Sequence, residues 1–424
     1  IQGLAVTSVS PDRDLVALSG SSTAVAQAFG VAFHRYGLPG GATFRSATSA
    51  ATVPAALAGD VRAVVGLTTL GRASLAPVAT PSVSFPTSYD PQQLWSHYDA
   101  PATRTGAGQA VAVLAAGTLA RPQADLATFE HDFGLPAVPW TTVPVGPRSS
   151  TTAGDDEWDL DTQYATGMAG DVGSLMVYDT TSLTDATVLA ETDRWVTDDA
   201  APQADFSAGE CEVLADQAGF LPAEDEVLEQ AVAQGQTLFA ASGDTGSTCP
   251  ALVGVNGVPA GLPDVNYPAS SPYAVSVGGT TILGGPGPLA EIGWYAGGGG
   301  LSLVEPEPAD QAGVGGSDLG LRRGVPDVAF DADPDSGFDV IVGGQEEVVG
   351  GTSGSSPSWV GIWARAQAAH GGGLGFAGDV VYREPSSSFR DVTVGTDGAY
   401  PCTPGYDYVT GRGVPDVSAF VSAA

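Results

Sequence analysis

The sequence predicts an α/β protein: a mostly parallel β-sheet flanked by helices on both faces, preceded by a small α+β unit with a ferredoxin-like order of elements. Three observations predict it. From Pro91 onward, apolar strand-like runs alternate with helical segments, the pattern of parallel strands joined by crossover helices. The first seventy residues instead read strand, helix, strand, strand, helix, strand. Between the two, Gly71 to Asp90 is rich in Pro, Ser and Thr and has little periodicity, so it reads as an exposed linker. The expected units are therefore 1–70, a linker at 71–90 and a large domain at 91–424.

In the first unit, Asp14–Ser19 alternates like a strand. Thr23–Phe29 is helix-like after a Ser21-Ser22 cap, and Val31–Tyr36 alternates again. Ala42–Ser46, a short helical Val53–Leu57 and Val61–Leu67 complete the order. In the large domain the expected strands are Ala110–Ala115, Ser174–Tyr178, Thr237–Ala241, Ala274–Val277, Asp327–Phe330 and Val340–Val342. No internal repeat is visible.

Composition narrows the function classes. The 424 residues carry 48 acidic against 15 basic side chains, every basic one an arginine, for a net charge of −33. Such a charge repels nucleic-acid phosphates and excludes that class of partner. It suits acid, where carboxylates near a pI of about 4.1 are partly protonated, and it equally suits a salt-adapted surface. No run of about 18 apolar residues appears, so no spanning helix is expected. The chain begins at Ile1 without methionine or a signal-like segment, which reads as an original N-terminus removed; the expected localisation is secreted, extracellular. Cys211 follows a strand-like FSAGE and Cys249 follows the Asp244 loop; they pair if both strands end at one sheet edge, while three buried thiols, with Cys402, are the alternative.

The most informative motif is Gly350-Gly351-Thr352-Ser353-Gly354-Ser355-Ser356-Pro357, followed by the apolar helical run Ser358–Ala369. Pro357 suits the first turn of a helix, where its missing N–H costs nothing. Ser353 then lies at a helix N-terminus, whose dipole favours developing negative charge. Peptidases of the subtilisin type place a nucleophile in this setting but need a histidine. Only His34, His97, His131 and His370 are present, and none stands in a Gly-flanked motif opening a helix. The base has to be another residue type.

Asp155-Asp156-Glu157-Trp158-Asp159-Leu160-Asp161 opens a helical stretch reaching Met168. Glu157 and Asp161 are four apart, so a helix puts both carboxylates on one face. The same acidic run also suits a helix N-terminus with no further role. Asp244, in Ala241-Ser242-Gly243-Asp244-Thr245-Gly246, follows an apolar strand, where ligands bind in open α/β sheets.

In this order along the chain, EWDLD, SGDTG and GGTSGSSP resemble the sedolisin family, the serine-carboxyl peptidases related to subtilisin. NYPASSPYAVSVGGT (266–280), the glycines 297–300, RGVPDVAFDADP (323–334) and the C-terminal GYDYVTGRG are similar too, as are AFGVAFHRY and TVPAALAGDVRAVVGL to the C-terminal part of the family propeptide. The resemblance implies a subtilisin-like fold with residues 1–70 as a prodomain. Ser353 would be the nucleophile, Glu157 the general base, Asp161 its orienting partner and Asp244 the oxyanion-hole donor. Ser207, Ala208 and Gly209 would bind substrate. One structural Ca2+ would be held by the side chains of Asp391 and Asp407 and the carbonyls of Val392, Thr403 and Gly405. Read by itself, that segment is also an ordinary Asx-turn loop. The expected partners are polypeptide substrates and the chain's own prodomain as intramolecular inhibitor, with no nucleic acid or membrane, in a monomeric, self-processing enzyme.

The residue chemistry agrees. A glutamate is a poor proton shuttle at pH 7 unless its pKa is strongly raised, and an aspartate assists an oxyanion only when protonated. Both favour acid. Two rivals remain. A pepsin-like aspartic peptidase would use Asp244-Thr245-Gly246 and Asp335-Ser336-Gly337, and a non-catalytic peptidase-like binding protein would share the fold alone.

Overall fold

A computed structural model describes residues 3–37, 43–69, 73–75, 87–249, 263–284, 290–314 and 321–424. The large domain is built on a sheet of β1 (Gly106–Ala116), β2 (Trp140–Pro144), β3 (Val172–Thr180), β4 (Gln203–Phe206), β5 (Thr237–Ala241), β6 (Ala274–Leu283), β7 (Ala290–Gly293) and β8 (Val328–Asp331). The strands lie in the order β2-β3-β1-β4-β5-β6, with β8 parallel and β7 antiparallel to β6. The chain reverses its direction of travel across the sheet between β1 and β4. Crevices open at such a switch point, beyond the carboxyl ends of the strands.

The helices that matter for the site are α1 (Ala120–Asp132), α2 (Asp155–Ala169), α3 (Asp185–Asp198), α4 (Leu221–Gln234) and α5 (Thr352–Ala369). Alternation along β1 assigns them to faces. Val111, Val113 and Ala115 join the core containing Trp158, Tyr164, Trp359 and Trp363 of α2 and α5. Ala112 and Leu114 join Val188, Trp195 and Leu228 of α3 and α4 on the other face. Helices α2 and α5 are buried almost all round, and their backbones meet at Gly361, where an added Cβ would lie 2.6 Å from Ala169 N and 2.8 Å from Ala165 O. A glycine there lets the two helices approach more closely than side chains allow.

Five of the six expected strands of the large domain lie in this sheet. Val340–Val342 does not: it belongs to the separate hairpin Phe338–Val342/Gln345–Val349, turned by Gly343 and Gly344 at φ +59° and +76°. Two positive-φ residues are what a tight hairpin requires. The central strand β4 and the edge strand β2 escaped the sequence reading, β4 because Gln203 and Asp205 break its apolar pattern.

The N-terminal unit keeps the strand–helix–strand–strand portion as Val16–Ser19, Ser22–Phe29, Phe33–Gly37 and Thr43–Ala47, with Ser21 capping the helix through Ala24 N. An unforeseen strand, Ala5–Val9, pairs with Val16–Ser19. The expected helix Val53–Leu57 is a turn, for so short a helix lacks the hydrogen bonds to offset its nucleation. Val61–Leu67 forms no strand ladder; the chain touches the Thr43–Ala47 strand only around Leu67 and Thr69. The unit meets the large domain at α3 and α4, where Thr197 Oγ1 donates to Asp12 Oδ2 at 2.9 Å and Arg62 lies 3.6 Å from Glu226. Most of the linker expected at 71–90 lies outside the described residues. Ser74–Leu75 is described and forms a short strand.

Candidate active site

Ser353 is the second residue of α5, preceded by Gly351 at φ +129°, a backbone conformation open to glycine. First-turn N–H groups have no acceptor within their own helix, so the serine sits among unsatisfied donors. Pro357 lies inside the helix rather than in its first turn, the place the sequence suggests. Its missing N–H frees the carbonyl of Ser353, four residues back, and Ser207 Oγ lies 3.4 Å from that oxygen. A side chain from another element thus covers the gap the proline makes.

Glu157 and Asp161 project from α2 and are 1 % and 0 % exposed. Burial pushes the Glu157 carboxyl well above its usual range, partly countered by the hydroxyl of Ser353, with Asp244 and Asp205 adding negative charge. Neither Glu157 oxygen has a hydrogen bond of good geometry, so the carboxyl faces the serine without another partner. Asp161 is likewise raised well above the usual range, by burial and then by Asp205 and Glu157. Its Oδ1 accepts from Ser207 Oγ at 2.8 Å.

Asp244 follows β5. Its Oδ1 accepts from Thr352 N at 2.8 Å and from Thr352 Oγ1 at 2.7 Å, and its Oδ2 lies where a Cβ on Gly351 would come within 2.7 Å. Burial raises its pKa, while the two Thr352 contacts lower it. One oxygen is thereby held as acceptor, and the other lies beside the head of α5.

Ala208–Cys211 continues past β4 as a short strand. Ala208 and Gly209 pair antiparallel with Leu75 and Ser74, placing the N-terminal segment along the strand expected to bind substrate. On its other flank Glu210 and Cys211 pair with Tyr267 and Asn266. Cys211 and Cys249 form a disulfide with a Cα–Cα distance of 5.4 Å, tying this strand to the Asp244 loop; Cys402 is free and buried.

No histidine approaches the serine. His97 binds Glu291 at 3.2 Å, His131 binds Asp132 at 2.8 Å, His370 meets Val421 O at 3.0 Å, and His34 lies in the N-terminal hairpin. The pepsin-like pairing also fails. Asp335 occupies the turn Pro334–Ser336, with its backbone bonded to Asp333 and Thr87, and the groups acting on Asp244 are those of Thr352. The parallel sheet is the wrong architecture for that class besides.

At the C-terminal segment the two predicted carboxylates converge on one turn. Asp391 Oδ2 accepts from Gly405 N at 2.9 Å and Asp407 Oδ2 from Thr403 N at 2.8 Å. Asp407 Oδ1 takes the N–H groups of Val409 and Thr410 as well. Among the described residues no three metal-binding side chains cluster, so a cation here would depend on two carboxylates and backbone carbonyls. An all-oxygen set of that kind fits a hard cation such as Ca2+.

Sequence reasoning missed Asp205, Thr352 and Ser356. The signal for Asp205 was present: an aspartate inside the strand Gln203–Phe206 has to be buried and needs partners.

A subtilisin-like sheet thus carries a serine at the head of a buried helix, facing a buried glutamate and with no histidine beside it. The comparisons agree. The family "Pro-kumamolisin, activation domain" matches residues 2–70. Xanthomonalisin of Xanthomonas sp. (strain T-22) is 33 % identical over 96 % of this chain and 56 % of its own length. Sedolisin of Pseudomonas sp. (strain 101) is 34 % identical over 97 % of this chain and 75 % of its own. The structure of Pseudomonas sedolisin with two molecules of pseudo-iodotyrostatin superposes with a TM-score of 0.74 at 32 % identity, covering 80 % of this chain and 98 % of that one. The chain belongs to the sedolisin family of serine-carboxyl peptidases. It spans little more than half the length of xanthomonalisin.

Proposed function

We propose that this protein is an acid-active endopeptidase made as a self-processing proenzyme. Ser353 Oγ attacks the scissile carbonyl while Glu157 takes its proton. The C–N bond then breaks as Glu157 returns that proton to the leaving amine. Water repeats the sequence on the acyl-enzyme and regenerates the serine. Asp161 orients Glu157, and protonated Asp244 donates to the oxyanion. The carrying observation is the buried, raised Glu157 carboxyl facing Ser353 with no other hydrogen-bond partner. Burial and neighbouring carboxylates keep such a base from being too weak, since its basicity follows its pKa.

Residues 1–70 are the inhibitory prodomain and 71–90 the cleavable linker in this reading. Antiparallel pairing of Ser74–Leu75 with Ala208–Gly209 supports it, because an extended peptide added to a strand edge is a common way to hold substrate. Ser207, Ala208 and Gly209 then form the substrate strand. Asp391, Asp407 and the carbonyls of Val392, Thr403 and Gly405 hold one Ca2+, which stabilises the C-terminal segment. The disulfide fits a secreted, extracellular enzyme. A monomer suffices, because every proposed active-site group comes from one chain.

The decisive experiment is a pH–activity profile on a denatured protein substrate, with Ser353→Ala and Glu157→Gln beside the wild type. We expect an optimum on the acid side of neutrality, no activity and no linker removal in Ser353→Ala, and nearly complete loss in Glu157→Gln. An optimum near pH 8, or an active Glu157→Gln, refutes the carboxyl base; an active, pepstatin-sensitive Ser353→Ala refutes the serine.

A further inference from the structure

Behind the two carboxyls of α2 lies a third that the proposed mechanism does not use. Asp205, on β4, is 0 % exposed. Ser356 Oγ, one turn beyond Ser353 on α5, donates to its Oδ1 at 2.5 Å, and Ser207 Oγ lies 3.1 Å from its Oδ2. The same Ser207 hydroxyl is 2.8 Å from Asp161 Oδ1. Asp205 therefore touches both catalytic helices, α2 through Ser207 and Asp161 and α5 through Ser356.

We propose that Asp205 is a positioning residue for the reaction: an anion held behind the Glu157–Asp161 pair that keeps Asp161 protonated and sets the pH range in which Glu157 serves as base. The proposal rests on the reading of Glu157 and Asp161 given above.

The argument follows the protons. Ser207 has one hydroxyl proton and faces two carboxyls, so it cannot satisfy both. Asp161 Oδ2 is buried with no donor of its own, and the Asp161 and Asp205 carboxyls lie within hydrogen-bonding reach. Two carboxyls in that contact must share a proton, or like charges meet in a medium that screens them poorly. Asp161 carries it. Asp205 is the better acceptor, because the hydroxyl of Ser356 donates to it and the contact with Asp161 favours its ionised form. Burial takes Asp205 upward, but its contacts with Ser356, Ser207 and Asp161 pull it back, while Asp161 goes well above its range. Asp205 thus ionises before Asp161, and its charge raises both Asp161 and Glu157.

Among the described residues no cation acts on Asp205 to cancel that charge. The groups facing Asp205 are Asp161 and, beyond it, Glu157 from α2, Ser356 from α5, and Ser207 at the end of its own strand. The flanking strands place Val113 and Phe239 in register with it. Asp156 and Asp244 add further negative charge at Glu157.

The test is the pH dependence of kcat/KM for matured wild type and Asp205→Asn, which keeps the shape and removes the charge. The acid limb, where Glu157 must lose its proton, should move about one pH unit lower in the variant. Carboxyl 13C titration in the uncleaved Ser353→Ala chain should show Asp161 titrating lower when Asp205→Asn is added. Ser356→Ala removes one donor from Asp205, favours its neutral form and should shift the acid limb in the same direction by less. It serves if Asp205→Asn does not fold. Superposable profiles with an unmoved Asp161 titration overturn the proposal. If Glu157→Gln is inactive in that case, the carboxyl-base mechanism stands and only the role of Asp205 falls.

Discussion

Thr352 holds one oxygen of Asp244 twice, with its N–H at 2.8 Å and its hydroxyl at 2.7 Å. The same hydroxyl accepts from Gly243 N at 3.0 Å, so one side chain fixes both the carboxyl and the loop that carries it. The head of α5 thereby sets which Asp244 oxygen is free for a proton.

Both Thr352 contacts lower the pKa of Asp244, and the proposed oxyanion donor is its protonated form. Thr352→Val removes one contact, so Asp244 should keep its proton to higher pH. The alkaline limb of kcat should move up by roughly half a unit to one unit, while the acid limb stays in place. Asp244→Asn should flatten the alkaline limb at a moderate loss in acid, because an amide N–H still donates. An unmoved limb in Thr352→Val would show that Asp244 does not control it.

Stability should also favour acid. Burial raises Asp159 to about 8, Asp193 to about 7 and Glu224 to about 8. The folded chain therefore binds more protons than the unfolded one. This contribution is complete below about pH 4 and is lost as pH rises through 7 to 8. Thermal midpoints of the uncleaved Ser353→Ala chain should fall steadily from pH 5 to 8. A midpoint that rises over that interval would contradict the buried, proton-bearing carboxyls.

Gly361→Ala tests the contact between α2 and α5. A methyl group would meet the backbone at Ala165 and Ala169, so the helices must separate. We expect destabilisation of about 1–3 kcal/mol in denaturant unfolding, and a loss in kcat because Ser353 and Glu157 ride on the two helices. Unchanged stability would mean the helices part without cost.

Calcium should be visible without any activity assay. Chelation should lower the thermal midpoint of the full chain, and added Ca2+ should restore it. Asp391→Ala should abolish both responses. A midpoint indifferent to chelator would leave the Asp391–Asp407 segment an ordinary loop.

The prodomain reading predicts inhibition in trans. Residues 1–75, added to the matured enzyme, should inhibit at micromolar concentration, and more strongly than residues 1–69, which lack the strand paired with Ala208–Gly209. Equal potency of the two would remove that strand from the inhibitory contact.

Much of the site was legible because its motifs are local: GGTSGSSP, EWDLD and SGDTG each lie within one turn or helix start, where short-range spacing decides geometry. Asp205 was legible as a polar residue inside a strand but its partners were not, because they come from two helices and a strand end brought together by the sheet order. Pro357 misled for a related reason. The rule that prolines open helices assumes that the freed carbonyl lacks a partner, and Ser207 supplies one from 146 positions away. In the N-terminal unit, Val53–Leu57 has helical composition but is too short to hold a helix without support.

The pairing of Ser74–Leu75 with Ala208–Gly209 also has a kinetic side. An occupant joined to the same chain presents itself at an effective concentration on the order of millimolar. An outside peptide at micromolar levels competes poorly with it, however well it fits. If the linker is cut as proposed, this standing occupant becomes an ordinary ligand that dilution can wash away, so a single cleavage there would act as an irreversible, concentration-sensitive release.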